Sequence, residues 1–194
     1  GVTALAYSTI GGLHALGLPL DITLFDMGRG QRWTDIPVQG GSVSARLIGC
    51  FESRRYYRPS NLSHLRLANR LGLRALHPML KTIGQMDAIL DISGGDSFSD
   101  IYGWKRFNAI VASKWLALEM GVPLVLTPQT YGPYKSDHAK AIAADILRRA
   151  SQVWARDAIS MNVVRSLVGD AGNGEKYRTG VDVAFGLPVN PPKD

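Results

Sequence analysis

The densest chemistry in the sequence is a pair of carboxylates beside two glycines. Asp91-Ile92-Ser93-Gly94-Gly95-Asp96-Ser97-Phe98-Ser99-Asp100 follows a short apolar run and places two acids four residues apart. Gly94 and Gly95 let the chain turn tightly and leave backbone N–H groups open to a ligand. A helix start just beyond adds partial positive charge suited to phosphate or carboxylate. Asp96 and Asp100 stand where a carboxylate can orient or deprotonate a sugar hydroxyl. The competing reading makes Asp96, Ser97 or Ser99 a helix cap on an ordinary turn. No Gly-Lys-Ser/Thr follows and no G-x-G-x-x-G occurs there, so this is neither a Walker loop nor a dinucleotide fingerprint.

Three further segments carry groups of the same kind. In Thr127-Pro128-Gln129-Thr130-Tyr131-Gly132-Pro133-Tyr134, the prolines stiffen the chain and Gly132 frees it. Gln129 and Tyr131 offer hydrogen bonds and an aromatic face for a sugar ring or nucleobase. Arg156 leaves a strand end, where a guanidinium clamps phosphate or carboxylate, and Asp157 reads as a helix cap. Asp182 closes the series on a turn after the last strand. His14, His64, His77 and His138 form no metal spacing, so no metal is expected. His138 reads as an exposed residue in the first turn of a helix. Arg66, Arg70 and Arg74 recur at i, i+4, i+8 as a basic stripe that either faces a membrane or anionic glycan or is simply solvated.

The elements that must position these groups alternate between strand and helix. Val2, Leu5, Ala6, Ile10, Leu13 and Leu16 have helical spacing up to Gly17 and Pro19. Residues 20–26 read as a strand, the Gly-, Arg- and Gln-bearing stretch after them as a loop, and Val43, Ala45 and Leu47 as a second strand. An Arg- and Tyr-rich loop over 51–60 leads to a helix capped by Ser60 or Asn61 and to further helix up to about Met86. Strands are expected at 87–92, 122–127, 152–155 and 176–179. Helices should fill the gaps, ending at Gly121, starting at Ser136 or Asp137, and capped by Asp157. Apolar strands separated by amphipathic helices imply βαβ units. The expected fold is therefore α/β, a Rossmann-like, mainly parallel sheet with helices on both faces. Ligands in such folds bind beyond the carboxyl ends of the strands, where the loops at 93–103, 128–135, 155–160 and 180–185 emerge.

The 194 residues are 45% hydrophobic and 20% charged, which suits a globular domain and excludes disorder. No window approaches the length of a membrane span. A single cysteine, Cys50, excludes a disulfide framework and points to a reducing compartment. The net charge of +6 is uneven, because residues 1–80 hold nine Arg and no Lys against four acids. An anion is the natural partner of that half, whether a phosphorylated or acidic glycan precursor, a membrane face or nucleic acid. Nothing resembles a nucleic-acid-binding signature, so nucleic acid is not expected.

In order along the chain, these loops resemble the polysaccharide pyruvyl transferase family. Residues 91–100 are similar to its strand-plus-glycine loop, although many members have a third glycine where this chain has Asp96. Pro128-Gln129-Thr130-Tyr131-Gly132-Pro133 resembles its Pro-Gln-x-x-Gly-Pro segment. Arg156-Asp157-x-x-Ser160 resembles its Arg-Asp/Glu-x-x-Ser segment, and Asp182-Val183-Ala184-Phe185 its Asp-x-Ala-Phe turn. The resemblance implies the N-terminal half of a GT-B-like two-domain transferase. Residues 1–187 would form its Rossmann-like domain, lacking a first strand, and 188–194 the start of a linker; alone, such a piece should be inactive. It further implies transfer of a pyruvyl group from phosphoenolpyruvate, as donor substrate with no other cofactor, to two hydroxyls of a glycan or lipid-linked sugar, forming a ketal. The implied setting is cytoplasmic, with the inner face of the membrane as an option. Asp96 and Asp100 would then act on the hydroxyls. Gly94, Gly95, Ser97, Gln129, Tyr131, Gly132, Arg156 and Asp182 would bind substrate. The rival readings are a GT-B glycosyltransferase using a nucleotide sugar and a non-catalytic glycan- or anion-binding module.

Overall fold

The computed structural model describes residues 2–55, 57–92, 98–169, 172 and 174–187. The chain divides into two units, one running up to Gly49 and resuming at Asp182, the other spanning Cys50–Val181.

In the first unit, α1 (Val2–His14) precedes β1 (Ile22–Asp26), β2 (Gln31–Val38) and β3 (Gly41–Gly49), arranged β1-β3-β2. β1 runs parallel to β3, while β2 and β3 form an antiparallel hairpin with Val38 opposite Gly41. Gly40 takes a φ of 86° in the two-residue turn, a conformation glycine adopts without a Cβ penalty. β2 corrects the loop expected over this stretch. It escapes a search for apolar alternation because only Ile36 is buried, while Trp33, Asp35 and Pro37 face solvent. Pro37 is tolerated because an edge strand has one unpaired side. A small core of Ile10, Ile36 and Ala45 closes this unit with the help of Tyr7, Leu24 and Val43. Ser8 Oγ donates to the carbonyl of Val183, tying α1 to the 3₁₀ turn Val183–Gly186.

The second unit is a four-stranded parallel sheet flanked by helices. Its strands β4 (Ile89–Asp91), β5 (Leu124–Gln129), β6 (Gln152–Ala155) and β7 (Tyr177–Thr179) lie in sequence order. α2 (Leu62–Arg70) and α3 (Pro78–Ile83) precede the sheet. α4 (Trp104–Met120), α5 (Asp137–Arg149) and α6 (Ala158–Val168) connect successive strands. The expectation of an α/β fold with parallel strands therefore holds for this unit. α4 buries two faces, which explains its weak amphipathicity. Phe107 and Val111 enter the main core with Leu124, Leu126, Ile146 and Val153. Ala112, Leu116 and Met120, at i, i+4, i+8, pack against Leu65, Leu80 and Ile83 of α2 and α3.

The Arg66, Arg70, Arg74 stripe is solvated at Arg70 and Arg74, yet all three side chains are engaged. Arg66 and Arg70 both pair with Glu119, at 2.7 Å and 2.5 Å, and Arg74 Nη2 donates to the Met120 carbonyl at 2.9 Å. Two guanidinium groups hold the Glu119 carboxyl below its ordinary range although burial pushes it up. The stripe thus fastens α2 and the turn after it to the end of α4. Cys50 is buried, and desolvation, with the Glu52 charge adding, pushes its thiol up to about 12, so it is an unreactive core residue. Among the described residues, no helix is long and apolar enough to cross a membrane.

Candidate active site

β4, β5, β6 and β7 end at Asp91, Gln129, Ala155 and Thr179, so the loops singled out from sequence leave the carboxyl ends of the parallel strands. Ser93, Gly94, Gly95, Asp96 and Ser97 lie outside the described residues. The chain is described again from Phe98, a fully buried ring stacked on Phe107 at 6.2 Å and met edge-on by Tyr131 and Tyr134, each at 6.0 Å. This aromatic cluster anchors the loop after β4 to the loop after β5.

Polar bonds lock the same two loops. Ser99 Oγ donates to the Pro133 carbonyl. The Asp100 carboxylate accepts from the amides of Lys135 at 2.7 Å and Ser136 at 3.0 Å, and from Ser136 Oγ at 3.0 Å. Partial burial would raise its pKa, but these bonds prevail and keep it below the usual carboxylate range. Ser136 is in turn the N-cap of α5, accepting from the Ala139 amide at 3.1 Å. Asp100 is therefore an ionised staple between two loops. Asp157 caps α6 as expected, accepting from the Ser160 amide at 2.6 Å.

Gln129 belongs to β5 and not to the loop expected there. The β5–β6 register shifts between Leu126 and Gln129, which lets Pro128 sit in the strand and returns Gln129 to pairing opposite Ala155. Its side chain is therefore buried, with Nε2 donating to Asp91 Oδ2 at 3.2 Å. Tyr131 is a core ring, only 2% exposed, whose hydroxyl donates to the Trp154 carbonyl at 3.2 Å. Burial and the Asp91 charge hold that hydroxyl well above its ordinary pKa. Any part Tyr131 plays in binding runs through the loop it fixes. Gly132 has a φ of 73°, and a Cβ there would lie 3.2 Å from Val163 Cγ1 of α6. Arg156 is exposed, its Nε 3.5 Å from Asp157 Oδ2, and its amide donates to the Gln129 carbonyl. Asp182 belongs to the first unit, where it caps the 3₁₀ turn by accepting from the Ala184 amide at 2.9 Å.

Sequence reasoning missed Lys114, the most unusual charge in the unit. It is 1% exposed, its Nζ 2.8 Å from Asp91 Oδ2 and 4.8 Å from the Phe98 ring centroid. Burial lowers its pKa, and Asp91 opposes that shift. The signal was present in the sequence. Lys114 lies three residues after Val111 and seven after Phe107, a core-facing position at helical spacing. With Thr127 Oγ1 donating to the Asp91 carbonyl at 2.7 Å, a polar network underpins the carboxyl ends of β4 and β5.

Six buried side-chain atoms lack a hydrogen-bond partner among the described residues, and four fall at one edge. These are Gln129 Oε1, Thr130 Oγ1, Tyr134 Oη and Ser160 Oγ; His77 Nδ1 and Gln152 Oε1 lie elsewhere. Buried polar atoms are normally satisfied, so four such atoms near the same strand ends are exceptional. No group of His, Cys, Asp and Glu able to hold a metal occurs among the described residues.

The model of the polysaccharide pyruvyl transferase family matches residues 41–194. Neither a curated protein nor a solved structure matches the chain.

Proposed function

We propose that this chain, which belongs to the polysaccharide pyruvyl transferase family, moves the pyruvyl group of phosphoenolpyruvate onto two hydroxyls of a glycan. One sugar hydroxyl attacks C2 of the enolpyruvate as its methylene carbon gains a proton and becomes a methyl group. The C2–O bond to phosphate breaks, and the second hydroxyl closes a ketal at C2. One hydroxyl proton ends on the methyl group and the other leaves with phosphate, so the step needs no oxidant or reductant. GT-B-like organisation and a cytoplasmic site of action belong to the same reading.

The observation that carries it is that the motif loops leave the carboxyl ends of the parallel strands within the stretch the family model matches. Asp96 takes the role of the base that orients or deprotonates the attacking hydroxyl. Asp100, engaged by three donors, is a positioning residue that keeps the loops after β4 and β5 in register. Gln129 Oε1 accepts from an acceptor hydroxyl, while Tyr131 and Gly132 shape the wall behind it. Arg156 and the Gly94 and Gly95 amides, with Ser97, neutralise the donor's phosphate and carboxylate.

Incubation of the protein with phosphoenolpyruvate and a panel of acceptor glycans tests this. Release of inorganic phosphate, matched by a ketal methyl signal in the proton NMR spectrum of the glycan, is the expected result. Turnover of a nucleotide sugar instead, or glycan binding with no phosphate release across the panel, contradicts it.

A further inference from the structure

A second feature of the larger unit is unused by this chemistry. A groove of about 800 Å³ runs along the first half of α4 from Trp104 to Trp115, bounded by residues 52–54, the start of α2, and His138 and Ile142 of α5. Its volume falls in the range of small-ligand sites. Four cations line it, Arg54, Arg66, Lys105 and Arg106, against one acid, Glu52. That acid is already engaged, since Glu52 Oε2 accepts from the Ser63 amide at 3.0 Å and Oε1 from Ser63 Oγ at 2.9 Å. Arg54 and Lys105 are exposed and have no acidic partner among the described residues. Arg66 is already paired with Glu119, so the positive charge the groove offers a ligand comes chiefly from Arg54 and Lys105.

Its aromatic content is arranged in two ways. Trp115 lies between the Arg66 and Arg149 guanidinium groups, at 5.6 Å and 5.3 Å, and forms the far wall. Trp104 is different. It is 43% exposed, supported by Phe107 at 5.4 Å and His138 at 5.1 Å, and so offers a fixed apolar plate beside the cations. A cationic cleft with one rigid aromatic plate suits a ligand with both a ring to stack and a multiply charged anion. α4 and α5 follow β4 and β5, so their first turns lie at the same end of the sheet as the loops of the candidate active site.

From this we infer that the groove holds a sugar phosphate, the phosphate-bearing end of the acceptor glycan, with a ring on Trp104 and the phosphate held by Arg54 and Lys105. The choice of phosphate over a carboxylate rests on the charge, because two exposed cations, Arg54 and Lys105, match a dianion better than a monoanion. The assignment deepens the pyruvyl-transfer reading and rests on it for the word acceptor, while the binding itself can be measured without turnover.

Calorimetry with lactose 1-phosphate, lactose, lactobionate and inorganic phosphate separates the contributions. Lactose 1-phosphate should bind at least tenfold more tightly than lactose, lactobionate or inorganic phosphate. The double substitution Arg54→Ala, Lys105→Ala should weaken it about 100-fold, roughly tenfold for each charged contact. Neither residue holds another element in place, so melting temperature should stay constant. Trp104→Ala should weaken lactose 1-phosphate about tenfold and leave inorganic phosphate unchanged. Undiminished binding by the double variant overturns the inference, as does preference for lactobionate, equal binding of bare phosphate, or competition by phosphoenolpyruvate. If binding behaves as expected but phosphoenolpyruvate is not consumed, the groove stands and the transfer reading fails. If phosphoenolpyruvate is consumed while the variants bind and turn over normally, the reverse holds.

Discussion

Asp91 and Asp100 flank the same stretch of chain, yet their surroundings are opposite in kind. Asp91 meets a fully buried ammonium, Lys114, and the amide of Gln129, in a network that joins β4, β5 and α4. Asp100 takes its donors from the backbone and hydroxyl of a neighbouring loop and keeps its charge through those bonds alone. The first carboxylate secures the scaffold; the second secures the geometry of the loops that scaffold carries. A desolvated pair cannot part without leaving a bare charge, whereas a backbone staple can loosen by degrees. The difference separates what holds the strands together from what holds their loops in register.

Breaking the Asp91–Lys114 pair should have the largest effect. Lys114→Met leaves Asp91 without its ammonium and should cost about 3–5 kcal/mol, read from chemical denaturation. Adding Asp91→Asn should recover much of that loss. A single variant costing under about 1 kcal/mol would remove the distinction between the two carboxylates. Asp100→Ala should cost about 2 kcal/mol and speed hydrogen exchange at the Lys135 and Ser136 amides specifically. Gly132→Ala should cost about 1–2 kcal/mol, since its φ of 73° disfavours a side chain and Val163 crowds the new methyl group.

A smaller, pH-dependent effect sharpens the contrast. Asp100, Asp157 and Glu119 all have native pKa values below the ordinary 3.8 for Asp and 4.5 for Glu. The unfolded chain then binds more protons than the folded one on acidification. The stability these groups contribute is complete above the ordinary values and is lost as pH falls through the lower native ones. Glu119→Gln should flatten the slope of stability against pH below about pH 4.5. An unchanged slope would mean that the Arg66 and Arg70 pairing contributes nothing there.

Much of the larger unit was legible because its rules are local. Gly121 ends α4, Ser136 and Asp157 cap α5 and α6, and Gln152–Ala155 is the strand expected from its residues. What escaped depends on contacts distant in sequence. β2 forms because β3 lies beside it, and its burial alternates while its apolar and polar residue types do not. Gln129 is drawn into β5 by a register shift at Pro128 that no residue pattern announces. The Arg66, Arg70, Arg74 stripe reads as a surface until Glu119, some fifty residues later, is set against it. Of the candidate site, the loops and their strand ends could be read from sequence, as could the Asp157 cap. The Asp100 staple could not, since its partners Lys135 and Ser136 carry no signal of it.

The most direct test of the central claim sets Asp96→Asn beside Asp100→Asn in phosphate release from phosphoenolpyruvate, with melting temperature measured on both. Asp96→Asn should lower kcat by about 10²–10⁴-fold at an unchanged melting temperature, the loss expected of a general base. Asp100→Asn should lower the melting temperature and raise the KM for acceptor, with kcat held within about tenfold, well short of a general-base loss. Wild-type turnover by Asp96→Asn would contradict the account, and so would a general-base loss of kcat from Asp100→Asn at full stability.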